Sequence, residues 1–175
     1  MDPVVAQLIE RFGLERLPVE GTYVARTYIG RSGPDGVPAG TAILGLYCSD
    51  PPSRSLFHRL SRDEVWHFHA GDPLRLVLLH PDGRDEEVVL GPDVAGGQAA
   101  QHVVPAGSWQ AGELVSGGRW ALFGCTMAPG FTAGCFEGGA TAALLASHPA
   151  RRDDIDRLGV PAGEALALPE EAASG

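Results

Sequence analysis

Three of the six histidines, His58, His67 and His69, fall in one stretch from Phe57 to Pro73. The same stretch carries the acids Asp63, Glu64 and Asp72 and one of the three tryptophans, Trp66. Imidazole titrates near neutral pH, so histidines beside carboxylates are the residue set for proton transfer or for holding a metal. From Glu64 to Phe68 the chain is aromatic and β-prone, which reads as a buried strand. It closes on the turn signal Gly71-Asp72-Pro73. Titratable groups on such a strand must be hydrogen-bonded, metal-bound or shifted in pKa, because burial without a partner is costly.

The elements that position this stretch are short. Asp2-Pro3 followed by Val4, Val5, Leu8, Ile9 and Phe12 is a capped amphipathic helix, with Gly13 as its stop. Strands are expected at 22–29, 41–48, 74–79, 86–90, 101–104, 120–127 and 131–137, in addition to the central one. Residues 41–48 are apolar on both faces, as in a strand between two layers. Alternation along the central strand places Glu64, Trp66 and Phe68 on one face and Val65, His67 and His69 on the other. His80 is expected exposed in the turn His80-Pro81-Asp82-Gly83. Arg151 to Leu158 reads as a short helix, and His148 has no assigned role. Many short strands at close spacing predict a sandwich or barrel. Residues 1–160 are expected to form one domain and 161–175 a flexible tail.

Composition narrows the class of function. The chain has 175 residues, a net charge of −9 and 24 glycines with 14 prolines. Such turn-rich, acidic composition without a basic run argues against a nucleic-acid binder. All thirteen basic residues are arginine. No apolar run is long enough to span a membrane, and no signal peptide is evident. Cys48, Cys125 and Cys135 lie in apolar runs without pairing motifs, as reduced core residues do, so a cytoplasmic location is expected.

Several ordered blocks resemble the cupin superfamily, and within it the "cupin 5" branch, also called the domain of unknown function 985 family. They are Phe57-His58-Arg59-Leu60, Asp63 to Phe68, Gly71-Asp72-Pro73, Val103 to Gln110, Gly124-Cys125-Thr126 and Ala128 to Phe131. Glu20-Gly21, Tyr23 and Thr27-Tyr28 fit the opening motif of that branch. The resemblance spans roughly residues 4 to 137. It implies an all-β double-stranded β-helix, or jelly roll, with a short N-terminal helix and a short C-terminal helical tail, and commonly a homodimer. Against the general cupin pattern, His58 and Glu64 occupy ligand positions, while Leu60 and Gln110 stand where two further histidines would be. Two good ligands with a weak oxygen donor hold a metal poorly. No cofactor is therefore expected, although weak divalent-metal binding is compatible with the pattern.

Within that fold, His58 and Glu64 are the candidate catalytic residues, a base and its orienting carboxylate. Trp66, Phe68 and Tyr47 would supply an aromatic wall for substrate, and Gln101 and Gln110 polar contacts. The expected function is a small-molecule enzyme of the isomerase, epimerase or cyclase type, acting by proton transfer on a ring-shaped or carbonyl-containing metabolite. Two alternatives stand beside it: a metal-dependent dioxygenase or lyase with a degenerate site, and a non-catalytic module binding a sugar-like or nucleotide-like ligand. No membrane or nucleic-acid partner is expected.

Overall fold

The computed structural model describes residues 1–168. Helix α1 (Pro3–Phe12) opens the chain and is followed by strands β1 (Glu15–Arg16), β2 (Tyr23–Ile29), β3 (Thr41–Cys48), β4 (Ser55–Leu60), β5 (Glu64–Gly71) and β6 (Leu74–Leu79). Then come β7 (Asp85–Leu90), β8 (Gln101–Val104), β9 (Trp109–Leu114), β10 (Trp120–Met127), β11 (Phe136–Gly138), α2 (Thr141–Ser147) and α3 (Arg152–Leu158). The strands form two sheets, ordered β1-β2-β3-β10-β5-β8 and β11-β4-β9-β6-β7. Neighbouring strands within each sheet run antiparallel. This is the expected all-β jelly roll.

Period-two patterning explains how the layers stack. Leu74, Leu76 and Leu78 of β6 enter the core between the sheets, where they meet Tyr47, Trp66, Leu90 and Phe123. The alternate residues Val77 and Leu79 face the other way and pack with Phe57, Ala111, Leu144, Ile155 and Leu158 under α2 and α3. β3 is apolar on both faces for the same reason. Tyr47 enters the core, while Leu46 and Cys48 meet Val5 and Leu14 beneath α1. Asp2 caps α1 by accepting from the Val4 N–H at 2.8 Å, and Gly13, at φ 61°, closes it in the left-handed conformation. Arg75, on the outer face of β6, ties α3 to the sheet through Asp154 and pairs with Glu113 of β9 at 2.8 Å.

The structure departs from the sequence expectation in several places. His80 is buried rather than exposed: its Nδ1 lies 3.0 Å from Ser108 Oγ, and Glu86 lies 3.3 Å from its Nε2. His148 is buried too, and its Nε2 donates to the His80 carbonyl at 3.1 Å. The turn is polar in sequence but lies under the α2–α3 exit, so tertiary cover overrides its local character. Residues 131–137, expected as one strand, form a 3-10 turn at Ala133–Cys135 and the short β11. The helix expected at 151–158 is α3, and it is preceded by α2, which the sequence reading missed. Of the expected flexible tail, residues 161–168 run alongside Ala133, Phe136 and Gly138, and 169–175 lie outside the described residues. Among the described residues no helix is long and apolar enough to cross a membrane.

Gly45 marks the tightest point between β3 and the core. A Cβ placed there would stand 2.3 Å from the Phe123 ring. Gly45→Ala should therefore destabilise the protein by about 1–3 kcal/mol through overpacking. Urea unfolding measures this, and Phe123→Leu in the same chain should restore part of the loss. A Gly45→Ala protein as stable as the parent would contradict this packing.

Candidate functional site

The two sheets enclose a cavity of about 80 Å³ at the end of the sandwich where β2, β4, β5 and β10 approach one another. Its wall is mostly apolar, with Ile43, Leu60, Phe123, Met127, Phe131 and Phe136 among the lining residues. Ala167 joins the wall from the C-terminal segment. The titratable groups on this wall are Glu20, Arg26, His58, Glu64 and Cys125. Three of the predicted site residues, His58, Glu64 and Trp66, are therefore brought together.

His58 is set by an irregularity in its own strand. β4 pairs with β9 through Ser55↔Gly112 and His58↔Gln110, so the register slips by one residue between them. A bulge of this kind takes main-chain groups out of the ladder and re-aims side chains. Within it, the Leu56 carbonyl lies 2.8 Å from His58 Nδ1, and the Leu56 N–H donates to Glu20 Oε1 at 2.7 Å. A carbonyl only accepts, so Nδ1 carries the proton and Nε2 keeps its lone pair. Nε2 has no hydrogen-bond partner among the described residues. Phe136 stacks on the ring at 5.3 Å. Burial holds the imidazole below its usual pKa, against the opposing effect of the Leu56 hydrogen bond.

Glu64 and Trp66 form the floor with Gln110, which is fully buried. Gln110 Nε2 donates to Glu64 Oε2 at 2.8 Å, and Trp66 Nε1 donates to Gln110 Oε1 at 2.8 Å and to Glu64 Oε2 at 3.2 Å. Both donors engage the same carboxyl oxygen, which leaves Oε1 for a proton. Burial pushes the Glu64 carboxyl up to about 7, even though both hydrogen bonds favour its charged form. The expected His58–Glu64 pair does not form. His58 is oriented by the Leu56 carbonyl, and Glu64 belongs to the Trp66–Gln110 network.

The other predicted contacts stand elsewhere. Tyr47 is buried in the inter-sheet core and donates to Ser55 Oγ at 2.6 Å, so it reaches the cavity only through Ser55. Phe68 packs against that same core and lies outside the wall. Gln101 is exposed on β8, opposite His67. The alternation along β5 holds from Glu64 to Phe68. A bulge against β10 then turns Ala70 to the α1 side. His67 and His69 lie on the outer face, their rings 6.5 Å apart, with His67 Nε2 2.8 Å from Thr126 Oγ1.

Sequence reasoning missed Glu20 and Arg26. The signal for Arg26 was present, because Thr22, Val24 and Arg26 recur at period two and all three line the cavity. Glu20 stood out only as part of the branch's opening motif, with no role attached, and its place is set by Leu56, 36 residues away. Burial pushes its carboxyl up to about 7, partly offset by the Leu56 N–H. Cys125 is a poor nucleophile here, since burial, with Glu64 nearby, drives its thiol well above the usual range. Among the described residues no three His, Cys, Asp or Glu side chains are placed to hold a metal ion. The two ligand positions lost in sequence remain lost in space: Leu60 offers no donor, and both ends of the Gln110 amide are engaged.

Residues 6–138 match the family described as "Cupin superfamily (DUF985)". A protein from Shewanella oneidensis with an X-ray structure is 33% identical, with a TM-score of 0.80 over 89% of this chain and 96% of that one. A hypothetical protein from Leishmania major is 28% identical, with a TM-score of 0.76 over 88% of this chain and 97% of that one. Oxalate decarboxylase from Bacillus subtilis shares the fold at 13% identity, with a TM-score of 0.52 over 89% of this chain and 42% of that one. No curated protein matches the chain.

The two raised carboxyls set a pH dependence of stability. Each binds its proton more tightly in the folded protein than at the usual value of 4.5 in the unfolded chain. Their contribution is fully present below about pH 4.5 and is lost as pH rises through about 7. Glutamine stays neutral throughout and escapes that loss. At pH 8, Glu20→Gln and Glu64→Gln should each be more stable than the parent, by up to about 3 kcal/mol. Near pH 4.5 the difference should vanish. Denaturant titrations at the two pH values decide this, and parallel curves at both would mean ordinary carboxyl pKa values.

Proposed function

The chain belongs to the cupin superfamily, in its DUF985 family, and on that footing we propose that it is an enzyme moving protons on a small carbonyl compound without a metal. The observation that carries this reading is the His58–Leu56 hydrogen bond. It fixes the neutral tautomer with a basic lone pair on Nε2, on the wall of an apolar cavity. A general base needs that lone pair within reach of the proton it removes, and a pKa that keeps it uncharged at working pH.

Glu64 supplies the complementary acid. Oε2 is occupied by two donors, so Oε1 carries the proton. His58 Nε2 takes a proton from the carbon next to the substrate carbonyl. The electron pair of that C–H bond becomes the C=C of an enol, while the carbonyl oxygen takes the proton of Glu64. When the carbon beside the carbonyl bears a hydroxyl, the enol is an enediol: the imidazolium then gives its proton to the former carbonyl carbon while the neighbouring hydroxyl returns a proton to Glu64 and becomes the new carbonyl, which completes an isomerisation. The apolar wall replaces bulk water with fixed dipoles from Trp66 and Gln110. A cavity of about 80 Å³ holds the equivalent of several water molecules, which suits a metabolite of a few heavy atoms.

The test is deuterium exchange. The protein is incubated in D2O with three- to six-carbon ketones, aldehydes and their hydroxy derivatives, and loss of the proton beside the carbonyl is followed by NMR. His58→Ala should stay folded and slow exchange by about 10²–10⁴-fold. The base must be neutral and the acid protonated. The rate should therefore rise as His58 loses its proton below 6.5 and fall through about 7 as Glu64 ionises. A folded His58→Ala protein with the parent rate rules out this base. Exchange abolished by chelators and restored by a divalent metal would favour a metal-dependent reaction instead.

A further inference from the structure

Glu20 takes no part in the step above, yet it is built into the same wall. One oxygen, Oε1, accepts the Leu56 N–H, while Oε2 has no hydrogen-bond partner among the described residues. An acid whose one oxygen is fixed by a main-chain donor carries its proton on the other, so the protonated group offers an O–H donor to the cavity. Glu64 presents the same kind of donor from β5, in the sheet opposite β4. His58 is anchored on the same Leu56 that anchors Glu20, which makes these two side chains neighbours on the β4 edge. The wall thus displays one lone pair, one O–H beside it and a second O–H across from it.

We propose that Glu20 is a specificity-determining residue whose Oε2–H grips a hydroxyl oxygen beside the reacting carbonyl, so that the site selects small uncharged hydroxycarbonyl compounds over simple ketones. The inference rests on the proton-transfer reading of His58 and Glu64 for which oxygen reacts, but its own content is a binding preference. A site built to hydrogen-bond an oxygen disfavours an analogue lacking it, because the polar group of the site is left unpaired. The charged or titratable groups facing Glu20 are Arg26 from β2, Tyr47 from β3, His58 from β4, Glu64 from β5 and Cys125 from β10. Tyr47 and Cys125 are held in their neutral forms by burial, as is His58.

Hydroxyacetone and 2-butanone have the same number of heavy atoms and differ in the hydroxyl, so they are the probes. Ligand-detected saturation-transfer NMR reads binding, and deuterium exchange reads chemistry on the same samples. At pH 6 the parent should bind hydroxyacetone about tenfold more tightly than 2-butanone, the worth of one hydrogen bond. Glu20→Ala should erase that preference and leave 2-butanone binding unchanged. Glu20→Met, closer in bulk, serves the same purpose if the smaller residue unsettles the loop. Glu20→Gln keeps an N–H donor at that position and should retain the preference at pH 6. A parent without preference, or Glu20→Ala and Glu20→Met with the preference intact, overturns the assignment. His58→Ala should keep the preference and lose exchange. Preference without exchange in any form would sink the proton-transfer reading and leave the role of Glu20 standing.

Discussion

The site depends on two hydrogen bonds to one residue whose side chain takes no part. In the β4–β9 register slip, Leu56 gives its N–H to Glu20 and its carbonyl to His58. A regular ladder would have consumed both groups, and His58 would have no fixed tautomer. The bulge thus converts obligatory main-chain groups into the frame of an acid and a base. The geometry of the backbone, rather than any single side chain, is what the proposed chemistry rests on.

Around that frame the apolar wall decides the charge states. Glu20, His58 and Glu64 are all pushed toward their neutral forms, and in each case burial is the larger cause, outweighing the hydrogen bonds that favour the ion. A folded protein holding two neutral carboxyls and a neutral imidazole avoids burying unpaired charge. The cost is stability that falls as the pH rises from about 4.5 to about 7. Trp66 links the two roles: it stacks on Phe123 at 4.8 Å in the core and donates to Gln110 and Glu64 at the floor.

Cupin membership and this arrangement bear on each other through what is missing. Leu60 is buried with Met127 and Cys135, so a position that offers a ligand in the general cupin pattern is here part of the apolar wall. Gln110 has become a clasp between Trp66 and Glu64. Once the ligand set is dismantled in this way, His58 shares the cavity wall with two buried carboxyls, Glu20 and Glu64.

Local pattern was enough for most of the fold. The cap and stop of α1, the strands at 41–48, 74–79, 101–104 and 120–127, and the inward parity of Glu64 and Trp66 all follow from residue type and period, because those signals act within a few residues. His58, Glu64 and Trp66 were legible as members of one site for the same reason, lying within nine residues of one another in a stretch dense with titratable groups. What each one touches was not legible. The His58–Leu56 bond, the Glu64–Gln110 clasp, the arrival of Glu20 and the burial of His80 depend on a register slip and on contacts between distant segments. A one-residue slip changes every partner along a strand without altering its pattern of side chains, so only the assembled sheets could decide them.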